Sequence, residues 1–100
     1  MIHQVRVIFG DTDQMGIVYY ANYYRYFEAA RAAFLRAHGK SNREMLAWGV
    51  ALPVIESHCR YRSPAHYEDL LDVNIQVDQI KGASLRFVYQ VHTEGRLLVD

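Results

Sequence analysis

Apolar positions recur along this chain with two different periods, and the switches between them mark out its elements. From Ile2 to Phe9 the alternation puts Val5, Val7 and Phe9 on one side and Gln4, Arg6 and Ile8 on the other. That is the pattern of a half-buried strand, and Gly10 ends it. From about Tyr20 the spacing becomes helical: Tyr23, Phe27, Ala30 and Phe34 form one stripe, with Tyr26, Ala33 and Ala37 beside it. The stripe predicts one long amphipathic helix over the run Tyr24 to His38. Arg36 and His38 suit the negative end of its dipole, and Gly39 is placed to take the left-handed closing conformation. Ser41-Asn42-Arg43-Glu44 matches a capping box, which predicts a second, short helix running to Trp48 and ending at Gly49.

The period then returns to two. Val50 to Ser63 reads as a long strand, with Pro53 near its start and Pro64 beyond its end, where a missing N–H is tolerated. Ile55, Ser57, Cys59 and Tyr61 fall on one face of it, and Val54, Glu56, His58, Arg60 and Arg62 on the other. After a loop over 65–69, Leu71, Val73, Ile75 and Val77 alternate with Asp72, Asn74, Gln76 and Asp78. Lys81-Gly82 makes a turn, Leu85, Phe87, Tyr89 and Val91 continue an inward face, and Glu94-Gly95 leads into a strand at Leu97-Leu98-Val99. Strand, long helix, short helix and then antiparallel hairpins make an α+β protein, a sheet wrapped around one central helix. The final strand has only begun at Asp100, so the expectation is a single domain over 1–100 that lacks its last strand or strands.

Composition narrows the function classes. Eleven basic residues balance eleven acidic ones with no block of like charge, which gives no support to a nucleic-acid partner or a polybasic membrane anchor. No run is long and apolar enough to predict a bilayer span, and the first residues lack the layout of a signal peptide. With Cys59 as its single cysteine the chain cannot form an internal disulfide, so a cytoplasmic location is expected. A core built from one hundred residues is modest, and self-association is expected with it.

The chemistry concentrates in Asp11-Thr12-Asp13, which lies between a strand-ending glycine and the start of the long helix. Acidic residues there serve as turn formers or as partners of the helix dipole. A carboxylate pair after a strand also suits magnesium-dependent phosphoryl transfer, but that chemistry belongs with a doubly wound parallel sheet, which these hairpins do not supply. The third reading is hydrolysis of an activated acyl group: Asp13 as nucleophile or base, and N–H groups near Val18 to Tyr20 as oxyanion donors. One carboxylate suffices when the leaving group is a thiol of pKa ~8.5, which departs without much protonation. The absence of a Ser-His-Asp set therefore leaves thioesters open while counting against peptides and oxygen esters.

Phe9-Gly10-Asp11-Thr12-Asp13-Gln14-Met15-Gly16-Ile17-Val18-Tyr19-Tyr20-Ala21-Asn22-Tyr23, with Glu28-Ala29-Ala30-Arg31 on the helix, resembles the signature of the 4-hydroxybenzoyl-CoA thioesterase family of hotdog-fold acyl-CoA thioesterases. The Tol-Pal-associated bacterial subfamily looks closest. Cys59-Arg60-Tyr61-Arg62-Ser63-Pro64-Ala65 and Lys81-Gly82-Ala83-Ser84-Leu85 extend the likeness over nearly the whole chain. The resemblance implies a hotdog fold, dimers or tetramers with sites at the subunit interface, and hydrolysis of an acyl- or aroyl-CoA. It places the catalytic carboxylate on Asp13 and the oxyanion donor on the backbone N–H of Tyr20. Many members of the Tol-Pal-associated subfamily carry His where this chain has Tyr20, a change that a backbone role survives. Substrate contacts are expected from Gly16, Val18 and Tyr19 in the loop. The phosphates of CoA call for cations, for which Arg60, Arg62 and Lys81 are available, and by resemblance Lys81 and Ser84 belong to a hairpin that meets the nucleotide.

No cofactor is expected beyond the CoA of the substrate, and the five histidines show no zinc-ligand spacing. Two competing functions stay open at this point: a hotdog module that binds acyl-CoA or an acyl-carrier protein without turnover, and a hotdog dehydratase, whose chemistry usually calls for a His beside a carboxylate.

Overall fold

The computed structural model describes residues 1–100, with every side chain except that of Asn42. Its sheet is an antiparallel meander of four strands in the order β1 (Ile2–Arg6), β2 (Leu70–Lys81), β3 (Ser84–Thr93) and β4 (Arg96–Val99). The long crossover between β1 and β2 carries the helices α1 (Tyr23–Ala37) and α2 (Asn42–Ala47). Register follows the alternation of apolar residues: Val73 faces His3 on one side and Val91 on the other. Leu71, Val73 and Ile75 on β2, Val91 on β3 and Leu98 and Val99 on β4 are fully buried. They meet Tyr23, Tyr26, Phe27 and Ala30 of α1 in one core, so the sheet wraps the helix. Each large aliphatic or Phe side chain among them contributes roughly 1.5–3 kcal/mol by leaving water, which makes this contact the main support of the fold.

Local signals account for the boundaries. Gly39 has φ +74°, and Lys40 N–H bonds back to Leu35 O at 2.8 Å, closing α1 as a left-handed glycine allows. The Ser41 hydroxyl accepts Glu44 N–H at 3.1 Å and caps α2. At the β3–β4 hairpin, Glu94 and Gly95 both have positive φ, the conformation that tight hairpins require.

Three expectations are corrected. The strand predicted from Ile2 to Phe9 stops at Arg6, because Phe9–Asp11 winds into a 3-10 turn, and this leaves the Phe9 ring 75 % exposed instead of inward. The strand predicted over Val50 to Ser63 is absent as a ladder; only Tyr61 forms a bridge, to Val99. Arg60 N–H reaches Asp100 O at 2.8 Å and Arg62 N–H reaches Leu98 O at 2.7 Å, and residues 50–59 form no strand pairing. Strand propensity becomes a strand only where a second backbone supplies donors and acceptors. Finally, Val77 and Leu85 are substantially exposed, in the outer part of the β2–β3 hairpin, which carries a register shift between Val77 and Gln79.

Candidate active site

The loop from Asp11 to Tyr19 folds back on itself as a small hairpin. Tyr19 N–H bonds to Asp11 O, Asp13 N–H to Ile17 O and Gly16 N–H to Asp13 O, each at 2.9 Å. Gly16 has φ +78°, a left-handed geometry that L side chains rarely adopt, so the tip of the loop needs glycine. Val18 N–H and Ala65 O, 2.9 Å apart, tie the loop to the segment after Pro64.

Asp11 and Asp13 are treated differently by this arrangement. Asp11 is buried, 4 % exposed, and its Oδ2 accepts the Tyr26 hydroxyl at 2.8 Å and Ile8 N–H at 3.2 Å. Arg25 Nη1 lies 3.6 Å from its other oxygen, and Asn22 Nδ2 donates to its backbone carbonyl at 2.9 Å. Burial, then the hydrogen bond to Asp11, pushes the Tyr26 phenol well above its ordinary range and keeps it a donor. Asp11 is thus a brace between β1, the loop and α1. Asp13 is half-buried; its Oδ1 accepts Met15 N–H at 2.9 Å, an Asx-type turn bond. Its Oδ2 meets no protein donor among the described residues.

Tyr20 begins a 3-10 turn, Tyr20–Asn22, that runs directly into α1. As the first residue of that turn its N–H has no intrahelical acceptor. The carbonyl of the same peptide unit, Tyr19 O, accepts Asn22 N–H at 2.8 Å. Because N–H and C=O point in opposite directions in a trans peptide, that bond aims the Tyr20 N–H away from the turn. A carboxylate oxygen and an amide, neither of them bonded to another group among the described residues, are therefore carried on one braced loop at the positive end of a helix.

The other expected contacts separate into groups. Val18 sits in the core, 4 % exposed, with its N–H bonded to Ala65 O. Tyr19 is exposed, and its ring packs on that of Tyr20 with centroids 4.8 Å apart. Arg62 Nε bonds Asp100 Oδ1 at 3.1 Å, while Arg60 beside it is exposed. Ser84 donates its hydroxyl to Lys81 O at 2.8 Å, closing the β2–β3 tip. From Leu70 to Lys81 the strand climbs about 35 Å, so within one chain Lys81 and Ser84 stand at the far end of the sheet from the Asp13 loop.

Two further contributors were not singled out by the sequence. Asn22 supplies both a side-chain donor to Asp11 O and the main-chain donor to Tyr19 O. Tyr61 donates its hydroxyl to Tyr20 O at 3.2 Å across 41 positions of sequence. Asparagine just ahead of a helix would have pointed to the first; nothing local could have found the second.

Comparison with known proteins gives a consistent picture. The family described as the Thioesterase-like superfamily matches residues 7–99. Acyl-CoA thioester hydrolase YbgC of Escherichia coli O6:H1 is 37 % identical over 95 residues, covering 94 % of this chain and 71 % of that protein. The 1,4-dihydroxy-2-naphthoyl-CoA hydrolase of Thermosynechococcus vestitus is 30 % identical over 94 residues, 93 % of this chain and 64 % of that one. Among solved structures, BH1999 gentisyl-coenzyme A thioesterase superposes with a TM-score of 0.94 at 28 % identity, covering 99 % of this chain and 80 % of that one.

Proposed function

Since the chain belongs to the thioesterase-like superfamily of hotdog-fold hydrolases, we propose that it cleaves an acyl- or aroyl-CoA at the Asp11–Tyr20 loop, with Asp13 as the catalytic carboxylate and Tyr20 N–H as oxyanion donor. The chain is an acyl-CoA thioester hydrolase, and its products are the free acid and CoA. The observation that carries the residue assignment is the pairing of an uncommitted Asp13 Oδ2 with an uncommitted Tyr20 N–H on the same braced loop.

The reaction follows from those groups. The thioester carbonyl accepts Tyr20 N–H, which stabilises negative charge as it develops on oxygen. Asp13 either takes a proton from a water that attacks the carbonyl carbon, or attacks that carbon itself to form an acyl–aspartyl anhydride that water then hydrolyses to the free acid and Asp13; either way the C–S bond breaks with both electrons leaving on sulfur. A thiolate needs no acid to help it leave, so a second titrating residue and a separate cofactor are unnecessary.

The working unit is a homodimer or homotetramer. Phe9, Met15, Tyr20 and Tyr67 surround the loop with exposed apolar surface, which a second subunit would cover. Lys81 and Ser84, too far along their own sheet, meet the nucleotide of a CoA held by another copy, while Arg60 and Arg62 serve from the Tyr61 side. The single cysteine suits a reducing cytoplasm.

A panel of aliphatic and aromatic acyl-CoAs, followed by free-thiol release, tests the reading with native protein and Asp13→Asn side by side. Turnover by the native chain and its loss in the variant are expected; equal rates would remove Asp13 from the mechanism. A single turnover in heavy-oxygen water then asks how Asp13 acts, since unlabelled oxygen entering the released acid identifies direct attack.

A further inference from the structure

From its link to the Tyr20 carbonyl, we propose that Tyr61 is a positioning residue for the reaction, holding the turn that presents the Tyr20 amide; the role rests on the thioesterase reading of that turn. Tyr20–Asn22 is a 3-10 turn, a form with poorer hydrogen-bond geometry than an α-helix and little resistance to fraying. Its local bonds are Asn22 N–H to Tyr19 O at 2.8 Å and Tyr23 N–H onto Tyr20 O, both internal to the segment that must be held still. Tyr61 adds a tie from outside it. Its hydroxyl reaches Tyr20 O at 3.2 Å, occupying the second lone pair of that carbonyl.

Tyr61 is itself anchored to the sheet. It forms the bridge to Val99, and on either side Arg60 N–H bonds Asp100 O at 2.8 Å and Arg62 N–H bonds Leu98 O at 2.7 Å. Its ring meets Tyr20 edge-on at 5.9 Å between centroids and Tyr23 at 5.7 Å. The site turn is therefore joined at two points to parts of the fold it does not adjoin in sequence: Asp11 O receives Tyr19 N–H ahead of the Tyr20 amide, and Tyr61 engages the carbonyl behind it. A residue gripped on both sides keeps its φ and ψ, and an amide whose direction is set beforehand loses no energy reorienting as the oxyanion forms. Partial desolvation, then Cys59 beside it, raises the Tyr61 phenol above its ordinary range although the side chain is 45 % exposed, so it remains protonated and able to donate.

Tyr61→Phe keeps the ring contacts and removes only the hydroxyl. In the full chain, kcat for a cleaved acyl-CoA is expected to fall about 3- to 10-fold with KM and Tm unchanged, the size of one lost hydrogen bond that orients a donor. The carbonyl-carbon NMR resonance of Tyr20 is expected to shift as its second donor disappears. Native kcat in Tyr61→Phe overturns the proposal while leaving the thioesterase reading intact. A rise in KM alone overturns it too, since the hydroxyl would then be touching substrate, as does a fall in Tm that accounts for the lost activity. Failure of the native chain to cleave any acyl-CoA removes the reaction, and the role of Tyr61 with it, whatever the resonance shows.

Discussion

Asp11 and Asp13 stand on either side of Thr12 with the same side chain, and the fold holds them in opposite ways. Asp11 lies under the loop with its carboxylate divided among Tyr26, Ile8 and Arg25, and its backbone carbonyl is taken up by Tyr19 and Asn22. Asp13 stands at the outer end of the same hairpin with one oxygen in a turn bond and the other meeting no donor among the described residues. A buried carboxylate bonded to protein donors chiefly stabilises the fold, whereas one at the rim with an oxygen that meets no protein donor keeps lone pairs for a substrate or a water. The difference arises from two residues of travel along a hairpin, which carries one side chain under the loop and leaves the other at its rim.

Substituting each carboxylate in turn sharpens that contrast. Asp13→Asn keeps an acceptor for Met15 N–H, so thermal unfolding is expected to stay near that of the native chain while kcat drops by about 10²- to 10⁴-fold, the usual worth of a positioned acid–base group. Asp11→Ala works the other way round: it strands the buried Tyr26 hydroxyl, removes the acceptor of Ile8 N–H and is expected to cost roughly 1–3 kcal/mol in urea unfolding. If Asp11→Ala proves as stable as the native chain, the brace is not a brace. The tip of the loop tests backbone geometry alone. A Cβ on Gly16 would meet no atom within 4 Å, so any penalty in Gly16→Ala comes from φ +78° and is expected at about 1 kcal/mol, read from the same unfolding curves.

The smallest effect concerns the core under the loop. Burial raises Tyr23 from an ordinary pKa of 10.0 to about 12 in the folded chain. A raised pKa means that the folded state favours the neutral phenol, so this contribution is fully present below pH 10 and is lost as pH rises through about 12. Tm should hold up to pH 10 and fall between 10 and 12, and Tyr23→Phe should flatten that fall. An equal decline in the variant would assign the alkaline loss to other tyrosines, Tyr26 first among them.

Much of the fold was readable before any coordinates. The helical stripe of Tyr23, Phe27 and Ala30 is the stripe that is buried, and Leu71, Val73 and Ile75 are the residues of β2 that α1 covers. Gly39, the Ser41 cap and Glu94-Gly95 end or turn the chain where expected. Such features depend on neighbours within a few positions, and their energies are set by residue type. Phe9 escaped the same logic because a 3-10 turn re-aimed it, and residues 50–59 escaped it because a strand requires a partner that alternation cannot supply. The motif named Asp13 as the catalytic carboxylate by resemblance, while nothing local showed that Asp11 would be buried against Tyr26.

What the sequence settled by itself was therefore the two helices and the β2–β3–β4 hairpins, their caps and turns, most of the core stripes and, through the signature around Asp13, the family. Only the tertiary structure decided that Asp11 is spent on bracing, that Val18 belongs to the core, that Lys81 lies far along the sheet from Asp13 and that Tyr61 reaches Tyr20. Each of these depends on which distant segments come within hydrogen-bond range, and that follows from the packing of the whole sheet against α1, a contact spread over too many residues for any local stretch to encode.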